Sequence, residues 1–146
     1  MMKNERKFDN KYLDLYDNQA ELTQDELNWF YDIVSKFQQL PEASGIQILN
    51  RNHDELAKRD REAYGIFYQP LSGSSSDCFI TIDNYFIHEM YGVTFYNDFN
   101  LAFETLEGCI AHEIAHKYQF RHCKRHTRIA AEILEKYNNL KKQERS

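Results

Sequence analysis

The sequence contains few cysteines, and their spacing excludes two kinds of site. The three cysteines, Cys78, Cys109 and Cys123, are odd in number, and no two of them form a CxxC pair. The sequence therefore predicts neither a disulfide framework nor a zinc ribbon. Unpaired cysteines of this kind favour a reducing compartment, and we expect the protein to be cytoplasmic.

Long apolar runs and an excess of positive charge are also missing. No run approaches the roughly 18 apolar residues of a membrane span, and the first ten residues, MMKNERKFDN, lack the apolar stretch of a signal peptide. We therefore expect no membrane segment. The net charge of −5 argues against a general electrostatic attraction to nucleic acid. A local basic patch, typical of a solvated helix end, consists of Lys117, Arg121, Lys124, Arg125 and Arg128.

The remaining composition is typical of one compact domain. Of the 146 residues, 42% are hydrophobic, and ten Phe, ten Tyr and one Trp supply large side chains for a core. The sequence has no internal repeat and no linker. We predict a single domain over residues 1–146, with disorder at 1–10 and in the charged tail at 141–146.

Local patterns predict a helix followed by short strands. Residues Thr23 to Glu26 match a capping box, and the apolar spacing after them predicts a packing helix that ends before Pro41. A turn at Ser44-Gly45 precedes the strands. Three strands are expected, at 46–49, 63–69 and 78–83, and the last two should form a hairpin. In the last strand, alternation places Ile80 and Ile82 on one face and Phe79 and Thr81 on the other.

Two further helices are expected in the second half of the chain. Asn97, Asp98 or Asn100 can cap a long helix that reaches about Tyr118. A final helix from about Lys124 to Leu140 should turn four apolar side chains inward, namely Ile129, Ile133, Leu134 and Tyr137. The aromatic stretch 85–99 has no clear pattern, and we leave its His88 and Glu89 out of any site.

The most informative stretch is 109–126, CIAHEIAHKYQFRHCKRH. It contains an HExxH pentapeptide, in which His112 and His116 stand one helical turn apart and can aim two imidazoles at one point. This arrangement predicts a zinc ion, which in a catalytic site needs a third protein ligand and an open position for water. Glu113 is next to the first histidine, so its carboxylate can act as general base without binding the metal.

The third ligand has to come from beyond the pentapeptide. His122 lies six positions after His116, which is enough chain to fold back once the helix breaks near Gln119 or Phe120. We predict that His122 is this ligand. His126 could take its place, and it is also positioned to hydrogen-bond a ligand or a substrate. A glutamate of the last helix, Glu132 or Glu135, could also serve as the third ligand.

The segment HEIAHKYQFRHCKRH resembles the HExxHxxxxxHxKRF signature of the SprT-like metallopeptidases and the related YgjP and WLM groups of zincins. The likeness is specific over 112–125 and architectural from about Ile46 onward. It implies that His112, His116 and His122 bind zinc and that Glu113 is the catalytic base. It also implies that strand 78–83 lies along the cleft as an edge strand and pairs with the substrate backbone.

The fold expected from this resemblance is α+β. It is a small zincin-like domain with an N-terminal packing helix, a mixed sheet of three to four short strands, an HExxH helix and a C-terminal helix. The metzincin form HExxHxxGxxH fits less well, because Gln119 stands in place of its turn glycine.

The expected activity is zinc-dependent hydrolysis of a peptide bond in a peptide or protein substrate. The developing oxyanion needs a second donor, and the candidates are His126, Arg125, Tyr118 and Tyr91. One alternative is a zinc hydrolase with a non-protein substrate, or a zinc-binding module without activity. Another is a protease that acts on DNA-associated proteins, as SprT-like enzymes do, although the net charge does not indicate a nucleic-acid partner.

Overall fold

The computed structural model describes residues 21–53, 64–69, 78–96 and 105–145. Over these ranges the chain forms an α+β fold, with helices around one three-stranded mixed sheet, and the predicted fold class is confirmed. The α-helices are α1 (Gln24–Phe37), α2 (Asn84–Tyr96), α3 (Leu106–Ala115) and α4 (Lys124–Arg145). The strands are β1 (Gln47–Arg51), β2 (Gly65–Tyr68) and β3 (Phe79–Asp83), and a 3-10 turn covers Pro41–Ala43.

The sheet has the order β1-β3-β2. Strand β2 is antiparallel to β3, with Gly65 opposite Ile82, which confirms the predicted pairing of these two strands. Strand β1 is parallel to β3, with Ile48 opposite Ile80. The expectation that strand 78–83 is an edge strand is therefore wrong, because β3 has a hydrogen-bonded neighbour on each side. Among the described strands, β1 and β2 are the edges.

The inner face of the sheet carries the predicted isoleucines. Ile48, Ile80 and Ile82 are each 2% exposed or less, whereas Phe79 on the opposite face of β3 is 37% exposed. Burying a side chain of this size stabilises the fold by about 1.5–3 kcal/mol relative to leaving it in water. The core continues into the helices, where the ring of Phe37 in α1 stacks on Tyr137 in α4 at 4.2 Å between centroids.

Helix α1 begins with the predicted capping box. The Thr23 hydroxyl accepts a hydrogen bond from the Glu26 backbone N–H, and the Thr23 N–H donates to the Glu26 carboxylate at 2.9 Å. The same buried carboxylate also bonds Nδ1 of His88 in α2, at 2.5 Å. His88 therefore links two helices, in agreement with leaving it out of the candidate site.

Helix α3 is shorter than predicted. It begins after Thr105, whose hydroxyl accepts from the Gly108 N–H at 2.9 Å, and it ends at Ala115. Residues 97–100, where we expected the cap, lie outside the described residues. Thr105 has the same capping chemistry as those residues, so the sequence offers several starts and packing of Leu106 into the core selects one.

Helix α4 is longer than predicted and runs to Arg145. The expected disorder of 141–146 is therefore wrong for 141–145; residues 1–10 and Ser146 lie outside the described residues. The last turns are held by charged contacts, since Lys36 of α1 pairs with Glu144 and the Lys141 ammonium lies over the ring of Tyr137. Ile133 and Tyr137 are buried and Ile129 and Leu134 are partly buried, as predicted. Within the described ranges, no helix has both the length and the apolar character that crossing a bilayer requires.

Candidate metal centre

Three histidines converge at the end of α3. His112 lies in the last turn of α3, His116 caps its C-terminus, and His122 lies in the segment that connects α3 to α4. The Nε2 atom of His122 is 3.2 Å from Nε2 of His112 and 3.0 Å from Nε2 of His116. One ligand atom from each residue lies within 4.8 Å of the others, so the three side chains can hold one metal ion.

The connection between α3 and α4 reverses the chain tightly. The N–H groups of Tyr118 and Gln119 both donate to the Ala115 carbonyl, at 3.0 and 2.9 Å, which closes the helix end. Two side chains then tie this connection to the segment after α1. The Tyr118 hydroxyl donates to the Glu42 carbonyl at 2.6 Å, and the Lys117 ammonium donates to the Ser44 carbonyl at 3.0 Å. The position of His122 therefore depends on contacts far away in sequence.

Hydrogen bonding and burial favour a form of His112 and His116 that can bind a metal. Nδ1 of His116 lies 3.3 Å from the Gln119 carbonyl, and a proton donated there leaves Nε2 as the lone-pair nitrogen facing the other rings. Burial lowers the pKa of His112, and the neighbouring His126, His116 and His122 lower it further, to about 4. Burial and His126 also lower the pKa of His116. Because metals bind neutral imidazole, these shifts favour binding near neutral pH.

His126 is buried and contacts two of the three histidines. It is 2% exposed, and its Nε2 donates a hydrogen bond to the backbone carbonyl of His112 at 2.9 Å. Its ring stacks on His116, with centroids 4.2 Å apart. The expected hydrogen bond is therefore made to the backbone of His112, one of the three histidines of the group. Glu132 and Glu135, the two glutamates considered as third ligand, are exposed on α4 and do not belong to the three-histidine group.

Glu113 is buried beside the histidines. Its residue exposure is 5%, and Oε2 lies 3.9 Å from Nε2 of His112. On its other side the carboxylate meets β2: a Cβ placed on Gly65 would lie 3.0 Å from both Cγ and Oε2 of Glu113 and 2.7 Å from Sγ of Cys109. The roles of Gly65 and Cys109 in this contact were not predicted from the sequence. Two signals were present, a glycine inside a predicted strand and a small residue one turn before Glu113 on the same helix face.

Two aromatic rings flank His116. Phe67 of β2 lies 6.4 Å from the His116 ring, and Phe120 lies 6.2 Å from it, measured between centroids. Phe120 is 71% exposed, which is unusual for so large an apolar side chain. These rings give the approach to the centre an apolar wall.

The structure gives other contacts to most of the residues considered as oxyanion donors. The Tyr118 hydroxyl bonds the Glu42 carbonyl, Nε2 of His126 bonds the His112 carbonyl, and Tyr91 packs its ring against two aromatic neighbours. Those neighbours are Trp29 and Phe95, at 5.5 and 4.5 Å between centroids. Arg125 is exposed in the first turn of α4.

Comparison with known proteins finds no family model, no curated protein and no solved structure that matches this chain.

Proposed function

We propose that the protein is a zinc-dependent metallopeptidase in which His112, His116 and His122 bind the metal and Glu113 is the general base. The observation that carries this proposal is the convergence of three imidazole Nε2 atoms beside a buried carboxylate. Neither part alone would suffice, because histidine clusters and buried glutamates both occur in structural roles.

The donor set fits zinc. In a tetrahedral site with Zn–N distances of about 2.0–2.1 Å, ligand nitrogens lie roughly 3.4 Å apart. The two Nε2 separations of 3.0 and 3.2 Å are close to that value. Three neutral imidazoles are also the ligand set of a catalytic zinc that keeps one position open. His112 and His122 are part-exposed and exposed, so a substrate can reach this position from solvent.

Zinc, when bound, would act as a Lewis acid that polarises a carbonyl and lowers the pKa of a water molecule to about 7. The protein's own side chains transfer the proton and orient the metal ligands. Glu113 accepts a proton from the attacking water and can return it to the leaving amine. Nδ1 of His116 on the Gln119 carbonyl, and His126 on the His112 carbonyl, hold the ligand rings in place.

Strand β2 is the better candidate for pairing with an extended substrate. It contacts Glu113 directly through Gly65, and among the described strands it pairs only with β3. An edge strand offers backbone N–H and C=O groups to an extended peptide, which gives affinity that does not depend on sequence. Strand β3 cannot take this role, because β1 and β2 already occupy both of its edges.

The experiment compares three zinc-loaded proteins on an unfolded protein substrate: wild type, Glu113→Gln and Glu135→Gln. We expect one zinc per chain in all three, hydrolysis by wild type and by Glu135→Gln, and loss of hydrolysis in Glu113→Gln. The exposed Glu135 is the matched control, because it undergoes the same chemical change outside the cluster. Zinc binding without hydrolysis by wild type would contradict the peptidase and favour a non-protein substrate or an inactive zinc-binding module.

A further inference from the structure

Gly65 lies where β2 contacts the helix that carries Glu113. It pairs with Ile82, which is fully buried, and paired residues share a face of the sheet, so position 65 faces inward toward α3. Its backbone conformation is not the reason for glycine. Gly45 has a positive φ, of 80°, whereas the φ of Gly65 lies outside the left-handed region. Glycine within a strand costs roughly 0.5–1 kcal/mol relative to alanine, so another reason has to be found.

Position 65 has no room for a side chain. A Cβ at position 65 would lie 2.7 Å from Sγ of Cys109, which is closer than real Cβ atoms approach other heavy atoms, and 3.0 Å from Cγ and Oε2 of Glu113. Cys109 and Glu113 are four residues apart on α3 and so present their side chains to the same part of β2. Their residue exposures are 2% and 5%, which leaves little room into which either can turn.

The added methyl would lie against the side chain of the proposed general base. The three atoms nearest to it belong to Cys109 and Glu113, and none belongs to a histidine. The closest contact would be with Sγ of Cys109, and the side chain of Glu113 is the next group on which a side chain at position 65 would press. A misplacement of about 1 Å in a reacting group can cost about 100-fold in rate.

We propose that Gly65 is a positioning residue: by lacking a side chain, it lets the backbone of β2 lie against Glu113 and fixes the carboxylate beside the metal centre. This inference rests on the proposed function, since it assigns a partner to the proposed general base. Gly65→Ala should retain one zinc per chain with an affinity within about threefold of wild type. Its kcat should fall by about 10- to 100-fold, with a smaller change in KM.

The matched control is Gly45→Ala, which adds the same methyl where nothing lies within 4 Å. Alanine at that positive φ is strained, so this variant should have a lower melting temperature than wild type. It should retain the kcat of wild type well below its melting temperature. A general loss of stability therefore cannot imitate the effect expected at position 65.

A double-mutant cycle tests the contact itself. The substitution Gly65→Ala is made in wild type and in Cys109→Ala, and the fold loss of kcat is measured in each background. The loss should be at least about threefold smaller in the Cys109→Ala background, because the nearest clash is absent there. Equal losses would show that the two side chains do not communicate, and would overturn the proposal. If Gly65→Ala alone fails to fold, Gly65→Ala/Cys109→Ala takes its place because the closest clash is absent from it. Its reference is then Cys109→Ala, and an unchanged kcat relative to that reference would overturn the proposal.

A measurement without turnover separates this inference from the proposed function. The affinity of the zinc-loaded protein for acetohydroxamate depends on a carboxylate that accepts the hydroxamate proton next to the metal. Gly65→Ala and Glu113→Gln should weaken this affinity by similar factors, and Gly45→Ala should not change it. Wild-type acetohydroxamate affinity or wild-type kcat in Gly65→Ala, or loss of its zinc, would overturn the role of Gly65. Absence of peptide hydrolysis by wild type would instead overturn the peptidase, while the acetohydroxamate comparison would still test the position of Glu113.

Discussion

The fold contains two buried glutamates beside histidines, and they differ in what surrounds the carboxylate. Glu26 accepts from the backbone N–H and the hydroxyl of Thr23 and bonds Nδ1 of His88 at 2.5 Å. Glu113 lies 3.9 Å from Nε2 of His112, beyond hydrogen-bond distance. In the first pair the imidazole nitrogen points at the carboxylate. In the second it points at two other imidazoles.

Under the proposed function, Glu26 has a structural role and Glu113 a catalytic one. Burial alone would raise the pKa of Glu26, but the hydrogen bonds from His88 and Thr23 and the charge of His88 lower it to about 2. A carboxylate held in this way stabilises the fold and is a poor base. A base has to sit next to a reacting water with capacity to accept its proton, and Glu113 has the position for that role.

The first prediction replaces the carboxylate of each glutamate by an amide. Glu113→Gln should lower kcat by about 10²- to 10⁴-fold, because an amide cannot accept the proton. Zinc content should not change. Glu26→Gln should instead keep an activity close to wild type and have a lower melting temperature. Kinetics and thermal unfolding of both variants measure this, and the comparison breaks if Glu26→Gln loses activity at a temperature where it is folded.

The second prediction concerns stability in acid. The pKa of Glu26 is lowered from 4.5 to about 2 in the folded protein, so the folded state binds the proton less readily than the unfolded state. The stabilisation is complete above about pH 4.5 and is lost as the pH falls toward 2, with a total on the order of 3 kcal/mol. Urea unfolding between pH 6 and pH 2.5 should show this loss in wild type. A Glu26→Gln protein with an equally steep dependence would assign the effect to other carboxylates.

The third prediction concerns His126. It hydrogen-bonds the His112 carbonyl and stacks on His116, two of the three proposed ligands. His126→Ala should therefore weaken zinc affinity by about 10- to 100-fold and keep a stoichiometry of one at saturating zinc. Competition with a chromophoric chelator measures the affinity. Wild-type affinity would show that the ligands hold their positions without this support.

The last prediction concerns the hydrogen bond between Tyr118, in the α3–α4 connection, and Glu42, in the segment after α1. Tyr118→Phe removes the hydrogen bond to the Glu42 carbonyl and should weaken zinc binding by a few fold, because a typical hydrogen bond contributes about 1 kcal/mol. Tyr31→Phe is the matched control, since its hydroxyl bonds Asn50 on β1, at the opposite edge of the sheet from β2. An equal effect of both variants on zinc affinity would contradict a specific tie.

Features governed by residues close in sequence were predicted well. The capping box of Thr23, the alternation along β3 and the meeting of His112 with His116 all follow from helix or strand periodicity. The proximity of His122 to these two histidines was also predicted, because only a short segment connects it to α3 and the possible positions are few.

Features that depend on distant residues were not predicted. The parallel pairing of β1 with β3 joins residues about 30 positions apart, and neither strand's alternation states which neighbour it takes, so the edge was assigned to the wrong strand. The contact of Gly65 with Glu113 likewise depends on how β2 packs against α3. The end of α4 was expected to be disordered from its charge, but contacts with Lys36 and Tyr137 stabilise it.

Zinc titration measures whether the three histidines form one metal site with His122 as the third ligand. His122→Ala, His126→Ala and Glu132→Ala are titrated under one metal buffer beside wild type. We expect a collapse of zinc affinity in His122→Ala, a loss of about 10- to 100-fold in His126→Ala and no change in Glu132→Ala. Near wild-type affinity in His122→Ala, with loss of zinc in either of the other two variants, would contradict the account.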